Sequence, residues 1–577
     1  MSEVLFITPN MQGRYGDDVL GTLLLATILD NAGINCEILP FFCIGKLTSL
    51  DAFLDDTVAA IQSRMPKIVS FYTRCDTYHV MLKMAQRIKQ LWPDIYIVLG
   101  GPQSDITAED TIRQIPWVDY ICCGEGETTI VPFFSSLLRG KPDTGIDGLV
   151  YRENGEVKIN PRPALLQDLD NLPMINYDFF HYRSKPNVTQ NTAFPIDVGR
   201  GCPFGCTYCS TKSFWGRKFR LKCPERIIEE IKHIHTLFGV TDFSFEHDMF
   251  TLNRKSVVKT CRLLQELDFP VTWHCSARLD CIDPELIDIM TASGMKSIYI
   301  GIETGSPRMQ KLINKNLDLR NAVSIASYLK EKGCKTTASF IFGFPEETEE
   351  DLSHTIRLIG DLLQLKSVSI QTHLCAFLAG TELSRKYAAE MTRAEHFSDA
   401  TGELFLPACR DLIDGHPELF QHLLEYKTPL RAKLQYFKPF IKLWNYMQPV
   451  YQYLSEQYSE DRLIDMYYDF VAANKGFLDM VLKLPAKEQL GKLAILDQFP
   501  KRFKDDENYD LIEDFCRYKF AMLTAGSGDG KQASQTYIFN PEDIKTKTSL
   551  REYSRCTAIV RRENDQVTVD ISPRPES

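Results

Sequence analysis

Short apolar runs alternate with helical patterns along the first 140 residues of the chain. The runs have the length of buried strands, and the segments between them repeat apolar residues three and four positions apart, as helices do. Strands that alternate with helices indicate a doubly wound α/β domain built on a parallel sheet. The predicted strands are 4–8, 34–39, 68–73, 95–99 and 118–122, and the predicted helices are 18–31, 50–63, 77–91, 107–114 and 127–138.

The same alternation returns between residue 194 and about residue 377. Six apolar runs with helical patterns between them indicate six βα units, which suit a partial barrel. Enzymes built on βα barrels place their chemistry at the carboxyl ends of the strands. The predicted strands are 194–199, 242–246, 271–276, 297–303, 336–342 and 367–373, and the predicted helices are 224–237, 254–267, 283–293, 319–331 and 348–365.

The rest of the chain is predicted to form a connector and a mainly helical C-terminal region. The connector contains a hairpin pattern at 151–158, with Asn154-Gly155 at its turn, and is rich in proline after it. The last third is helical and aromatic, most densely at 426–470, and ends in a predicted hairpin at 557–562 and 566–571. The predicted domains are therefore 1–140, 141–190, 191–390 and 391–577.

Composition narrows the class of protein. The 577-residue chain carries a net charge of −10, which argues against a general nucleic-acid binder. Its first residues do not have the pattern of a secretory signal, and no run approaches the ~18 apolar residues of a membrane helix. The 17 cysteines are scattered, which is typical of reduced thiols. We therefore expect a cytoplasmic protein with neither a membrane nor a nucleic acid as partner.

Three cysteines stand close together just after the first predicted barrel strand. Cys202, Cys206 and Cys209 have the spacing CxxxCxxC, so three thiolates can converge on one soft metal centre. A four-iron four-sulfur cluster usually has four cysteine ligands, so three would leave one iron open to bind a substrate. A structural zinc site is the alternative, although zinc motifs favour two cysteine pairs and only the adjacent Cys122 and Cys123 could form a second one.

Two further groups of residues follow the predicted strands, where ligands of open α/β sheets and of barrels bind. In the N-terminal domain glycine stands at two neighbouring strand ends and would let the backbone approach something large and flat; the alternative is a plain flavodoxin-like domain whose glycines only serve turns. The residues at these strand ends include Ser70, Thr73, Gly100, Gly101, Gly124, Glu125 and Gly126. The corresponding residues of the barrel are Glu246, His247, Asp248, Ser276, Arg278, Asp280, Glu303, Thr304, Gly305, Gly343, Pro345, Gln371 and His373.

The cysteine stretch closely resembles the signature of the radical S-adenosylmethionine (SAM) enzymes, because Tyr208 gives the pattern Cys-x-x-x-Cys-x-aromatic-Cys. The order GGP and then GEGE ahead of it resembles the cobalamin-binding domain of cobalamin-dependent radical SAM enzymes. The resemblance covers roughly residues 1 to 390. It implies a four-iron four-sulfur cluster on the three cysteines, cobalamin at the N-terminal strand ends, and SAM held by residues that include Tyr208, Asp248, Ser276, Arg278 and Glu303.

Local stretches match the family with departures. IGIETGSPRMQKLINK resembles the segment whose glutamate, here Glu303, contacts the SAM ribose. Glu346 and His247 replace the glycine of FxxGxPGET and the first aspartate of DDxFTxN, and AFLAGTEL lacks both prolines of PxPGTxL. The Asp-x-His-x-x-Gly motif that presents a histidine to cobalt is absent, and His79 lies in a helical pattern. We therefore expect cobalamin to bind without a histidine ligand.

The resemblance implies an enzyme that reductively cleaves SAM to a 5′-deoxyadenosyl radical and transfers a methyl group to an unactivated carbon. Its partners would be a small-molecule or peptide substrate and an electron donor such as flavodoxin or ferredoxin. One alternative keeps both cofactors for rearrangement, cyclisation or oxidation without methyl transfer, and another is a non-catalytic cobalamin or redox sensor. A methylthiotransferase is disfavoured, because the N-terminal third lacks a second three-cysteine motif.

Overall fold

The computed structural model describes residues 3–10, 20–42, 49–180, 193–365, 367–394, 406–431, 513, 516, 533–539, 555–563 and 566–573. The chain divides into two compact units. The first contains Met1–Tyr299, Lys311–Asn316 and Leu374–Lys427, and the second contains Ile300–Gln310, Leu317–His373 and Thr428–Ser577.

A seven-stranded sheet in the order β2-β1-β3-β4-β5-β6-β7 forms the N-terminal part of the first unit. The pairs among β1 to β5 are parallel, as the alternating pattern predicts, whereas β6 and β7 are antiparallel. The strands are β1 (Val4–Asn10), β2 (Cys36–Phe42), β3 (Ile68–Tyr72), β4 (Tyr96–Gly100), β5 (Tyr120–Cys122), β6 (Leu149–Glu153) and β7 (Glu156–Ile159). The helices are α1 (Leu20–Asn31), α2 (Leu50–Arg64), α3 (Tyr78–Leu91), α4 (Pro102–Ile106), α5 (Ala108–Gln114) and α6 (Ile130–Leu138).

The predicted hairpin is confirmed as β6 and β7. Asn154 and Gly155 have φ angles of 50° and 83°, which a two-residue turn between right-twisted strands requires. Strand β6 pairs with β5, so the sheet extends through Ile159, beyond residue 140. The connector therefore contributes two strands to the sheet that precedes it.

A second sheet has the order β15-β14-β13-β12-β11-β8, so its strands follow one another as in a partial βα barrel. All six predicted strands are present, and the pairs β8–β11 and β11–β12 are parallel. The strands are β8 (Phe194–Asp197), β11 (Asp242–Glu246), β12 (Thr272–Ala277), β13 (Met295–Glu303), β14 (Lys335–Phe342) and β15 (Val368–Leu374), with β9 (Gly199–Arg200) and β10 (Arg220–Leu221) as a separate two-stranded ribbon. The helices are α7 (Thr211–Trp215), α8 (Pro224–Phe238), α9 (Arg254–Gln265), α10 (Pro284–Ala292), α11 (Pro307–Leu312), α12 (Ala322–Glu331), α13 (Glu349–Leu363) and α14 (Glu382–Tyr387).

The segment that follows the barrel returns to the N-terminal sheet. Residues 406–424 contain α15 (Arg410–Gly415) and short 3-10 turns, and β16 (Thr392–Arg393) pairs with β17 (Leu424–Glu425) nearby. Leu406, Leu419 and Phe420 are buried in the same hydrophobic cluster as the strands β1, β3 and β4. The core of the N-terminal sheet is therefore completed by residues from a distant part of the chain.

The predicted closing hairpin is confirmed as β19 (Arg555–Glu563) and β20 (Gln566–Pro573), and β18 (Ala533–Phe539) adds a third antiparallel strand. Most of the predicted helical C-terminal region, including the aromatic stretch, lies outside the described residues. The helices of the described ranges are all too short or too polar to traverse a bilayer.

Candidate active site

The cysteine loop leaves the ribbon strand β9 through a glycine. Gly201 has a φ of 82°, and a Cβ at this position would overlap the carbonyl oxygen of Lys218, so only glycine fits here. Three hydrogen bonds within the first unit then fix the loop: the amide of Thr207 donates to Ile313 (3.0 Å), the amide of Leu383 donates to Thr207 (2.9 Å), and the side chain of Asn314 donates to the Gly205 carbonyl (2.9 Å).

The three thiols are half-buried and close enough to influence one another. Burial raises the pKa of Cys202 to about 11, and the negative charges of Asp248, Cys209 and Cys206 add to the increase. Burial also raises the pKa of Cys209, and Cys206 contributes to it. These raised pKa values favour the protonated thiol over the thiolate. A bound metal centre would reverse that preference, because a coordinating thiol is deprotonated.

The donor set fits a four-iron four-sulfur cluster. Within the described ranges, no three His, Cys, Asp or Glu side chains converge on the position of a single metal ion. The three ligands of such a cluster bind three different irons, so their thiols need only face a common centre.

Arg278 lies directly beside the cysteine loop. Its guanidinium is 3.8 Å from the centroid of the Phe204 ring, and its charge interacts with Cys206. Asp280 holds it through two hydrogen bonds of 2.9 Å, and the carbonyl of Lys315 accepts a third at 2.8 Å. Arg278 is therefore a buried, oriented cation at the place where the sequence predicts SAM.

The other predicted residues of the first unit surround the same loop or the neighbouring strand ends. Tyr208 lies within the loop and Ser276 near the end of β12, and both are half-buried. Asp248 follows β11; its side chain reaches solvent, but the surrounding protein atoms desolvate it enough to raise its pKa. Asp248 also acts electrostatically on Cys202 and Cys209, which places it at the cysteine loop.

Glu303 lies in the second unit, at the end of β13. It is buried, and its φ of 71° puts a non-glycine residue in the left-handed region. Such strained backbone is concentrated at ligand sites, where the surrounding structure holds it in place. Here the side-chain amide of Gln310 donates to the carbonyl oxygens of Ile302 and Thr304, both at 2.8 Å. These two hydrogen bonds fix the strand end on either side of Glu303.

The predicted cobalamin cradle is formed by adjacent strand ends of the N-terminal sheet. The amide and the hydroxyl of Thr73 both donate to the Gly100 carbonyl, at 2.8 and 2.9 Å, which joins the ends of β3 and β4. Gly101 has a φ of 96°, and a Cβ there would lie 2.8 Å from the Thr73 carbonyl oxygen. A Cβ at Gly100 would meet one atom of the described residues, the Cys122 carbonyl oxygen, at an ordinary contact distance of 4.0 Å. Ser70 lies inside β3 rather than after it.

The glycine turn after β5 is fixed by charged groups. The Gly124 amide donates to Asp105 (2.7 Å), whose carboxylate also accepts two hydrogen bonds from Arg162 at 2.6 and 2.8 Å. A Cβ at Gly126 would press on Leu25 at 3.3 Å. These contacts hold the loop close to the sheet, so the site residues fit the flat ligand that the sequence predicts.

Glu125 has a different environment from its glycine neighbours. Its carboxylate accepts hydrogen bonds from Arg200 (2.6 Å), from Arg220 (2.9 and 2.8 Å) and from the Leu166 amide (2.6 Å). These partners could not be predicted from the sequence, because they are 41 to 95 residues away along the chain and no local pattern connects them. A contact of Glu125 with cobalamin stays a prediction.

His79, the only histidine among the first 180 residues, lies on α3 as predicted and is fully buried. Burial lowers the pKa of His422, in the returning segment, to about 3, and the nearby His79 lowers it further. The pair therefore belongs to the core, and the absence of a histidine ligand to cobalt stays a prediction.

Two family models match the chain: the B12 binding domain over residues 18–133 and the radical SAM superfamily over residues 196–359. An uncharacterized methyltransferase of Pyrococcus horikoshii is 30% identical over 53% of this chain and 67% of its own length. The anaerobic magnesium-protoporphyrin IX monomethyl ester cyclase of Rubrivivax gelatinosus is 26% identical over 62% of this chain and 65% of its own length. The chain thus spans about two thirds of these relatives.

Two solved structures show the same fold. The cobalamin-dependent SAM radical enzyme OxsB matches with a TM-score of 0.59 and 14% identity over 92% of this chain and 84% of its own. The radical SAM methyltransferase TsrM from Kitasatospora setae matches with a TM-score of 0.55 and 16% identity over 69% of this chain and 78% of its own. The predicted fold class is confirmed, and the two matched domains imply a four-iron four-sulfur cluster, SAM and cobalamin. The chain belongs to the radical SAM superfamily and, within it, to the cobalamin-binding enzymes.

Proposed function

We propose that this enzyme is a methyltransferase that acts on an unactivated carbon of a small-molecule or peptide substrate. The observation that carries the proposal is that one compact unit contains both the three-cysteine loop and the glycine-bearing strand ends of the N-terminal sheet. When bound, the cluster with SAM would supply a radical at the substrate carbon, and cobalamin would supply the methyl group.

The chain's own residues would bind and orient these groups. Cys202, Cys206 and Cys209 would ligate the cluster, and Arg278 would place its charge beside the SAM carboxylate. Glu303, fixed by the strained end of β13, would accept hydrogen bonds from the ribose hydroxyls. Thr73 and the two glycines at the end of β4, Gly100 and Gly101, would support cobalamin. Tyr208, Asp248 and Ser276 would complete the SAM site.

The names of the relatives support methyl transfer and also motivate a second candidate. One relative is a cytidylyl-2-hydroxyethylphosphonate methyltransferase of Streptomyces wedmorensis, 25% identical over 69% of its length, whereas the Rubrivivax gelatinosus relative is a cyclase. The second candidate is accordingly ring formation with the same cofactors. Either reaction needs an electron donor, for which we propose a flavodoxin or a ferredoxin.

The two candidates differ in the fate of the SAM methyl group. The enzyme would be incubated with reductant, extracts of its host and SAM carrying a deuterated methyl group, and the products analysed by mass spectrometry. Methyl transfer predicts a product with the complete labelled methyl group, formed in step with about equal amounts of 5′-deoxyadenosine and S-adenosylhomocysteine. Product without label, accompanied by 5′-deoxyadenosine alone, would support ring formation. No SAM turnover at all would support a sensor and contradict both candidates. Omitting cobalamin should abolish labelled product.

A further inference from the structure

A buried cluster of charged side chains in the first unit connects the glycine turn after β5 to the ribbon β9–β10. The side chains of Glu125, Arg200 and Arg220 are exposed by only 3%, 10% and 7%. Both oxygens of Glu125 are occupied: Oε1 accepts from Arg200 and Arg220, and Oε2 accepts from Arg220 and the Leu166 amide. The hydrogen-bonding positions of both carboxylate oxygens are therefore occupied by protein donors, and none is left for a cofactor.

The two arginines stand opposite each other in the ribbon from which the cysteine loop departs. Arg200 pairs with Arg220 in the antiparallel register of β9 and β10, and Cys202 follows Arg200 by two residues. Their guanidinium groups lie 5.8 and 5.4 Å from the ring centroid of Trp215, the last residue of α7. Both ends of the cysteine segment are therefore tied to one carboxylate.

The charges around this carboxylate make it difficult to replace. Glu127 also binds Arg200 (2.6 Å), and Asp197 lies 3.8 Å from it. Arg220 depends more strictly on Glu125, which is its carboxylate partner among the described ion pairs, while its Nε and second terminal nitrogen are buried without a hydrogen bond in the described structure. Loss of the Glu125 charge would leave the Arg220 cation buried without a counter-charge, which is strongly destabilising. We therefore expect the ribbon that bears Arg220 to shift.

We infer that Glu125 is a positioning residue of the cluster site, which acts through Arg200 and Arg220 to fix the base of the cysteine loop against the cobalamin-binding sheet. The inference rests on the proposed cluster on Cys202, Cys206 and Cys209. It assigns the first glutamate of the GEGE segment to the cluster and SAM, and leaves the contact with cobalamin to the neighbouring glycines.

The test compares Glu125→Gln, which removes the charge and keeps the shape, with Glu230→Gln as a matched control. Glu230 is also a largely buried glutamate of this unit, exposed by 13%, and it accepts from Lys222 and Arg226 at 2.8 Å without touching Arg200 or Arg220. Both variants would be reconstituted with iron, sulfide and hydroxocobalamin. Three quantities would be measured: cobalamin affinity, the thermal midpoint, and the change that SAM causes in the paramagnetic resonance spectrum of the reduced cluster.

Glu125→Gln should raise the SAM concentration that gives half of that spectral change by about tenfold to a hundredfold. A displacement of binding groups by about 1 Å has effects of this size. Cobalamin affinity should change less than about twofold. Glu230→Gln should lower the thermal midpoint but leave both the spectral change and cobalamin affinity as in the parent. If Glu125→Gln fails to fold, Glu125→Asp, which keeps the charge but shortens the reach, should give a smaller change in the same direction.

A tenfold loss of cobalamin affinity in the Glu125 variant, with an unchanged response to SAM, would overturn the inference and make Glu125 a cofactor contact. An unchanged response to SAM together with unchanged cobalamin affinity would also overturn it. Failure of the proposed cluster site would be seen separately, as the absence of a cluster spectrum in the parent protein.

Discussion

The packing of the returning segment against the N-terminal sheet can be tested with one core residue. Phe420 is fully buried, and its ring centroid lies 6.0 Å from that of Tyr78 at the start of α3. Removing a buried phenylalanine ring costs about 3–5 kcal/mol, because apolar burial is lost and a cavity remains. At about 1.4 kcal/mol per power of ten, Phe420→Ala should accelerate the opening-limited hydrogen exchange of α3 by roughly two to three and a half powers of ten.

Hydrogen exchange measured by mass spectrometry on peptides from Tyr78–Leu91 provides the readout. Asp411→Asn is the control, because the 2.7 Å pair of Asp411 with Lys83 joins the same elements but Asp411 is 72% exposed. Such a surface pair contributes only about 0.2–1 kcal/mol, so the control should shift exchange by less than one power of ten. If the hydrogen-exchange rate of α3 changes by less than about fivefold in a folded Phe420→Ala protein, the returning segment does not stabilise the sheet. If the alanine variant does not fold, Phe420→Leu should give an intermediate acceleration.

Three further predictions concern the two cofactor sites and pH. Cys206→Ala should abolish the absorbance near ~400 nm of the reconstituted cluster together with SAM cleavage, whereas Cys223→Ala should keep both; full cluster content in the first variant would contradict the assigned ligands. Gly101→Ala should weaken cobalamin binding at least about tenfold, because its Cβ would lie 2.8 Å from backbone, whereas Gly140→Ala, also at positive φ but with no atom within 4 Å, should not; equal affinities in a titration would remove Gly101 from the cradle. Burial raises the pKa of Glu347 to about 8 from its ordinary 4.5, so its contribution to stability is complete below about pH 4.5 and is lost as the pH rises toward 8. The free energy of unfolding in urea should therefore fall by up to about 1.4 kcal/mol per pH unit in that window, and Glu347→Gln should flatten the slope; a parent protein that becomes more stable over this range would refute the assignment.

The elements of both sheets could be predicted because each carries its own periodic pattern. The strand that became β11 has the predicted bounds, and the turn Asn154-Gly155 identified its hairpin from two residues. The short helix α4 was missed, since five residues after Gly101 are too few to show a period. The location of β6 beside β5 was also not predicted, because strand order depends on contacts that are distant in sequence.

The candidate site likewise combines features that are local in the sequence with features that depend on distant contacts. The cysteine spacing and the glycines at strand ends are local signals, so their residues could be named from the sequence, although their roles stay predictions. The partners of Glu125 are not local: Arg200 and Arg220 reach it only after the ribbon folds. The buried position of Phe420 likewise depends on tertiary packing, because it is set by the contact with Tyr78 of α3, more than 300 residues earlier in the chain.

The returning segment has a consequence for how the protein is made. Roughly 270 residues separate the end of α6 at Leu138 from Leu406, the first described core residue of that segment. At a synthesis rate of ~5–20 residues per second, the nascent N-terminal sheet would wait about 15–50 s on the ribosome before the side chains that cover α3 are synthesised. During that time it would expose apolar surface that a chaperone can bind. The sheet can therefore complete its core only after the barrel that separates the two parts has been synthesised.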